Sequence, residues 1–95
     1  MSNVLHLKQG MQISYCDYSN EGGYIILREY KPSSDEVIVD QYEEVFPDID
    51  ECCPDVEIRY AGRKAWKRRD ILKAWNGCHD NVIRDRRYTD VIWDE

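Results

Sequence analysis

The sequence has little of what most enzymatic chemistry uses. It has only two histidines, and one of them, His6, sits in an alternating, strand-like run. That leaves few candidates for imidazole acid–base work. It contains no G-x-G-x-x-G, no phosphate-binding G-x-x-x-x-G-K-[ST], no G-x-S-x-G and no H-E-x-x-H. The common dinucleotide, nucleotide, serine-hydrolase and zinc-peptidase signatures are therefore absent. No apolar run approaches the roughly 18 residues that cross a bilayer. The N-terminal stretch MSNVLHLKQG lacks a basic segment followed by an apolar one, and no Asn-x-Ser/Thr sequon occurs. The expectation is a cytoplasmic protein with no membrane partner, no bound cofactor and four reduced cysteines.

Basic residues are missing from one long stretch, and this absence is the most informative. Residues 35–57 (DEVIVDQYEEVFPDIDECCPDVE) carry ten acidic side chains and no basic one. Residues 59–73 (RYAGRKAWKRRDILK) reverse the pattern, with seven basic side chains and one acidic, Asp70. The net charge of −6 opposes non-specific attraction to nucleic acid or to an anionic membrane.

Ninety-five residues suit one domain that buries roughly 60–65% of its unfolded surface. Three Trp and seven Tyr supply bulky side chains for its core. Residues 3–8 and 11–16 alternate about the turn signal Gln9-Gly10 and read as a β-hairpin. Residues 17–23 are rich in loop formers, and Gly22-Gly23 suit positive φ. Residues 24–31 (YIILREYK) are the clearest strand. Residues 36–46 have two readings. Ser33 and Glu36 fit a helical capping box, but the β-branched run Val37-Ile38-Val39 favours a strand over 36–42. Residues 56–60 read as a further strand. Residues 63–75 have helical periodicity, with Ala61, Ala65, Ile71, Leu72 and Trp75 on one arc, and Asn76-Gly77 form a stop signal. A short helix over 81–88 and a strand over 89–93 complete the reading. The fold expected is α+β: an N-terminal antiparallel sheet of three to five strands packed against a helix at about 63–75.

Three groups of residues could carry function. The acidic run offers Asp40, Glu43, Glu44, Asp48, Asp50, Glu51 and Asp55. Carboxylates spaced along a rigid strand and loop imitate the phosphates of a duplex and complement a partner's positive groove. The bland counterpart is that this run folds onto the basic segment, in exposed pairs worth ~0–1 kcal/mol each. The basic segment offers Arg63, Trp66, Lys67, Arg69 and Lys73. Read as a helix, it sets Arg63, Arg69 and Lys73 beside Trp66, an indole among cations suited to stacking and phosphate neutralisation, although the basic residues ring the cylinder rather than form one stripe. Its counterpart is that Trp93 and Tyr88 cover Trp66. Cys52, Cys53, Cys78 and His79 supply soft metal ligands, but adjacent ligands cannot easily reach one tetrahedral ion. A disulfide to Cys16 needs an oxidising setting.

The leading expectation is a small acidic, non-enzymatic protein-binding protein. It would act as an inhibitor of a nucleic-acid enzyme through the acidic run, as a nucleic-acid mimic. Its compact, acidic, motif-free character is that of inhibitors made by phages and other mobile elements, a likeness of class rather than of family. The alternative is a nucleic-acid-binding module using the basic segment 63–73 with Trp66.

Overall fold

A computed structural model describes residues 3–16, 22–45 and 57–94. The fold is α+β, as the strand and helix patterns imply. A four-stranded antiparallel sheet runs in the order β2 (Gln12–Cys16), β3 (Gly22–Lys31), β4 (Glu36–Val45), β5 (Glu57–Lys67). Two short helices follow, α1 (Arg68–Gly77) and α2 (His79–Arg84). A second, two-stranded sheet pairs β1 (Val4–Leu7) with β6 (Asp90–Trp93) in parallel.

The β-branched run of residues 37–39 settles the ambiguity of 36–46 in favour of a strand. Val37 and Val39 point to the core and are fully buried, while Ile38 points to the opposite face. The turn before it places Asp35 at φ 55°, a conformation that Asp tolerates better than most residues.

Two expectations are corrected. The first is the N-terminal hairpin. A turn does form at Lys8–Met11, with Met11 N–H donating to the Lys8 carbonyl and Gly10 at φ 86°. A positive φ at the third turn position is that of a type II turn, whose twist splays its flanking strands. The chain therefore diverges, and Val4–Leu7 pairs with Asp90–Trp93 while β2 pairs with β3.

The second correction concerns the helix, which begins at Arg68 and not at residue 63. Residues 63–67 extend β5 and pair with β4 from Asp40↔Arg63 to Glu36↔Lys67. The ladder along β4 outweighs the modest helix preference of Arg-Lys-Ala-Trp-Lys. Asp70 then receives the Lys67 N–H at 3.3 Å, which satisfies an otherwise orphan donor at the first turn. Ile71, Leu72 and Trp75 do face the core, but Ala61 and Ala65 belong to the strand. The helix stops at Asn76-Gly77 as expected, without Gly77 taking a positive φ.

The core lies between one face of the four-stranded sheet and the layer formed by α1, β1 and β6. It joins Ile13, Ile25, Leu27, Val37 and Val39 with Ile71, Trp75, Leu5, Leu7 and Val91. Burying each such side chain contributes roughly 1.5–3 kcal/mol. Gly22 and Gly23 are strand residues rather than loop formers, and Gly23 is buried. The Tyr15 ring lies across Gly23, and its hydroxyl donates to the Tyr42 carbonyl at 2.9 Å. No described helix is long and apolar enough to cross a membrane.

Candidate functional site

One face of the four-stranded sheet is covered by the helical layer. The other has no helix over it among the described residues. Antiparallel sheets that face water usually present polar side chains there, but this one presents aromatics. Tyr24, Tyr42 and Tyr60 stand opposite one another on β3, β4 and β5. The Tyr24 and Tyr42 rings stack with centroids 4.8 Å apart, and Tyr42 and Tyr60 are tilted at 5.3 Å. Such pairs add about 0.5–1.5 kcal/mol beyond simple burial. Ile26 and Ile38 share the face, and Ile58 and Tyr60 extend it along the edge strand. Ile58 is 46% exposed and Tyr60 56%.

A bulge makes this alignment possible. Gln41 opposes Gly62 and Tyr42 opposes Tyr60, so Ala61 is the extra residue. Gly62 takes φ 106°, as a bulge position that favours glycine does. Without the extra residue, Tyr60 and Ile58 would turn to the other face.

Beside the tyrosines lies a charge cluster. Asp40 is 5% exposed and accepts from Arg28 Nε at 2.6 Å, Arg63 Nε at 3.2 Å and the Tyr60 hydroxyl at 2.9 Å. Arg63, then Arg28, hold its carboxyl down to about 2 against the opposing effect of burial. The same carboxylate raises the Tyr60 phenol above its ordinary range. A carboxylate so fully paired is a structural counter-ion, with little left for a partner.

The acidic residues proposed from sequence thus separate. Asp40 is internal. Glu43 and Glu44 are exposed at the end of β4; Glu44 stands opposite Ile58 on the open face and Glu43 opposite Arg59 on the other. Asp48, Asp50, Glu51 and Asp55 lie outside the described residues.

The basic residues do not share one surface. Arg63 belongs to the open face through Asp40. Trp66 points the other way, packed against the core and against Tyr15 at 5.8 Å. Trp93 stacks on Tyr30 and Tyr88 meets Trp75 edge-on. Lys67 donates to the Ser34 carbonyl at 2.9 Å, while Arg69 and Lys73 are exposed on α1. A helical surface spanning 63–73 does not exist, because its first five residues alternate as a strand.

Cys78 is buried and His79 exposed, and Cys52 and Cys53 lie outside the described residues. Among the described residues no three His, Cys, Asp or Glu side chains are placed to hold a metal ion.

The tyrosine face was the feature missed from sequence. Its signal was present in the period-two spacing Ile38, Asp40, Tyr42, opposite Tyr24 and Ile26 in a hairpin. The bulge that brings Tyr60 into line carried no such signal. Comparison with family models, with curated proteins and with solved structures finds no match.

Proposed function

We propose that this chain is a non-enzymatic protein-binding protein that docks through the open sheet face. The observation that supports this most is the tyrosine ladder ending in the exposed Ile58 and Tyr60. Tyrosine, arginine and isolated apolar groups are what the centre of a protein interface uses. Rings held by their neighbours also lose little side-chain freedom on binding.

The partner fits best as a protein with a basic surface, of the kind a nucleic-acid enzyme offers its substrate. The net charge is −6; Glu44 stands exposed beside Ile58 on the open face, and Glu43 is exposed next to it at the same strand end, on the other face. The connecting sequence 46–56 adds Asp48, Asp50, Glu51 and Asp55. Acidic groups beside an apolar patch raise the on-rate toward a basic partner, and the patch holds it. Inhibition by occupying such a site is the activity we infer. Free thiols at Cys16 and Cys78 suit a reducing compartment such as the cytoplasm.

Direct binding of nucleic acid is less well supported. Tyr42 has a ring neighbour on both sides, which leaves it no free face for a base. Asp40 offsets much of the charge of Arg28 and Arg63.

The test begins with capture from the native host by immobilised protein and identification by mass spectrometry. The partner is then titrated against variants. Ile58→Asp combined with Tyr60→Ala should weaken binding at least about tenfold, as loss of a central contact does. Glu43→Lys with Glu44→Lys should mainly slow association and blunt its salt dependence. Undiminished binding by the Ile58/Tyr60 variant would reject the face. A single-stranded DNA mobility shift that disappears with Tyr60→Ala would replace the protein partner by nucleic acid.

A further inference from the structure

The sulfurs of Cys16 and Cys78 lie 3.2 Å apart, although 62 positions separate them in the chain. Both are held from their backbones. Cys78 joins the two helices: its N–H donates to the Trp75 carbonyl, and its own carbonyl receives the N–H groups of Asn81 and Val82. The buried Asn81 side chain then donates to the Ser14 carbonyl at 2.7 Å, two residues before Cys16. This bond clamps the start of α2 onto the end of β2. Gly22 is the strand partner of Cys16. Cys16 is exposed and Cys78 buried.

We propose that Cys16 and Cys78 form a redox-responsive dithiol that closes to an intramolecular disulfide, with a small-molecule disulfide such as glutathione disulfide as the oxidant. Cys16 reacts first, because only it is open to solvent. Its thiol loses a proton and attacks one oxidant sulfur. The oxidant's S–S bond breaks and one thiol leaves with that proton. Cys78 then loses its proton and attacks Cys16 Sγ, which forms the protein disulfide and releases the second thiol. Two electrons pass from the two cysteines to the oxidant. Thiols already in contact need only a small rotamer change to bond.

The surroundings set the speed. The hydrogen bond to Cys78, burial, and the charges of Cys78, Asp80 and Glu44 raise Cys16 to about 11. At neutral pH it is a thiol, and only a small fraction is the reactive thiolate. The pair therefore answers sustained oxidation rather than brief exposure. Once closed, the bond ties the edge of the sheet to the helical layer across a long loop, and it stabilises the fold mainly by restricting the unfolded chain.

The test uses the 95-residue chain with Cys52→Ser and Cys53→Ser, so that only this pair can react. The reduced protein is incubated with glutathione disulfide at mildly alkaline pH and followed by intact mass and peptide mapping. The expected product has lost two hydrogens, yields one peptide linking Cys16 to Cys78 and is reversed by dithiothreitol. Its Tm should rise by roughly 10 °C or more. Adding Cys78→Ser should instead leave a lasting glutathione adduct on Cys16. A lasting adduct on Cys16 with Cys78 present would overturn the proposal, as would no reaction after prolonged incubation. So would a cross-link that lowers Tm, since a bond forced on the fold strains it.

Discussion

Arg63 reaches across the β4–β5 pair to Asp40, Nε to Oδ1 at 3.2 Å, and helps to hold a carboxylate inside a sheet face. Arg28 approaches from the other side at 2.6 Å. This arrangement makes part of the fold's stability depend on pH. Asp40 titrates at about 2 when folded, against 3.8 ordinarily. Its contribution is present above 3.8 and is lost as pH falls from there through about 2. Thermal melts should show Tm falling across that window. Asp40→Asn should lower Tm at neutral pH and flatten the fall, because Asn cannot neutralise the two guanidiniums. A variant with the same acid limb as the parent would show that other carboxylates cause it.

Gly23 is required by close approach, not by backbone conformation. A Cβ there would collide with the Tyr42 carbonyl oxygen and fall 2.6 Å from the Tyr15 hydroxyl. Gly23→Ala should therefore cost about 1–3 kcal/mol, the usual range for overpacking. Urea denaturation is the measurement. Tyr15→Phe should recover little of the loss, because the backbone oxygen stays in place.

Asn81 is a buried polar residue, 1% exposed. Its amide bonds the Ser14 carbonyl at 2.7 Å, and its own carbonyl group accepts from Arg84. Asn81→Ala should destabilise by about 1–3 kcal/mol, because it leaves a strand carbonyl without its donor. Amide hydrogen exchange should rise first in α2 and at the end of β2, the two segments this bond joins.

Trp75 is 2% exposed. Its indole N–H donates to the Arg86 carbonyl at 2.8 Å. The Arg84 guanidinium lies 5.2 Å from its ring centroid and the Tyr88 ring at 5.8 Å. Trp75→Ala should cost about 3–5 kcal/mol and release residues 84–88, which would appear as faster proteolysis there. Lys73→Ala, exposed on the same helix, should change stability by less than about 0.5 kcal/mol.

The sequence carried the local decisions well. The alternation of 24–31, the β-branched run 37–39 and the stop at Asn76-Gly77 each reflect steric preferences of a few neighbouring residues. Segment 63–67 misled for the same reason. Its modest intrinsic preference is for helix, and pairing with the edge of β4, remote in sequence, overrode it. The acidic run also could not be read as one unit. Its members on β4 alternate across the strand, and one of them, Asp40, was consumed by two arginines from neighbouring strands.

The sequence by itself determined the α+β class, the placement of β3, a leaning towards a strand at 36–42, the acidic surplus and the absence of common catalytic motifs. These follow from composition and from periodicity over a few residues. The tertiary structure alone decided that β1 would pair with β6, that Trp66 would face the core, that three tyrosines would align on the open face and that Cys16 would meet Cys78. Each of these depends on strand register or on chain closure over many residues. Register moves by one position at a single bulge, as at Ala61-Gly62, and no local pattern of residues encodes that shift.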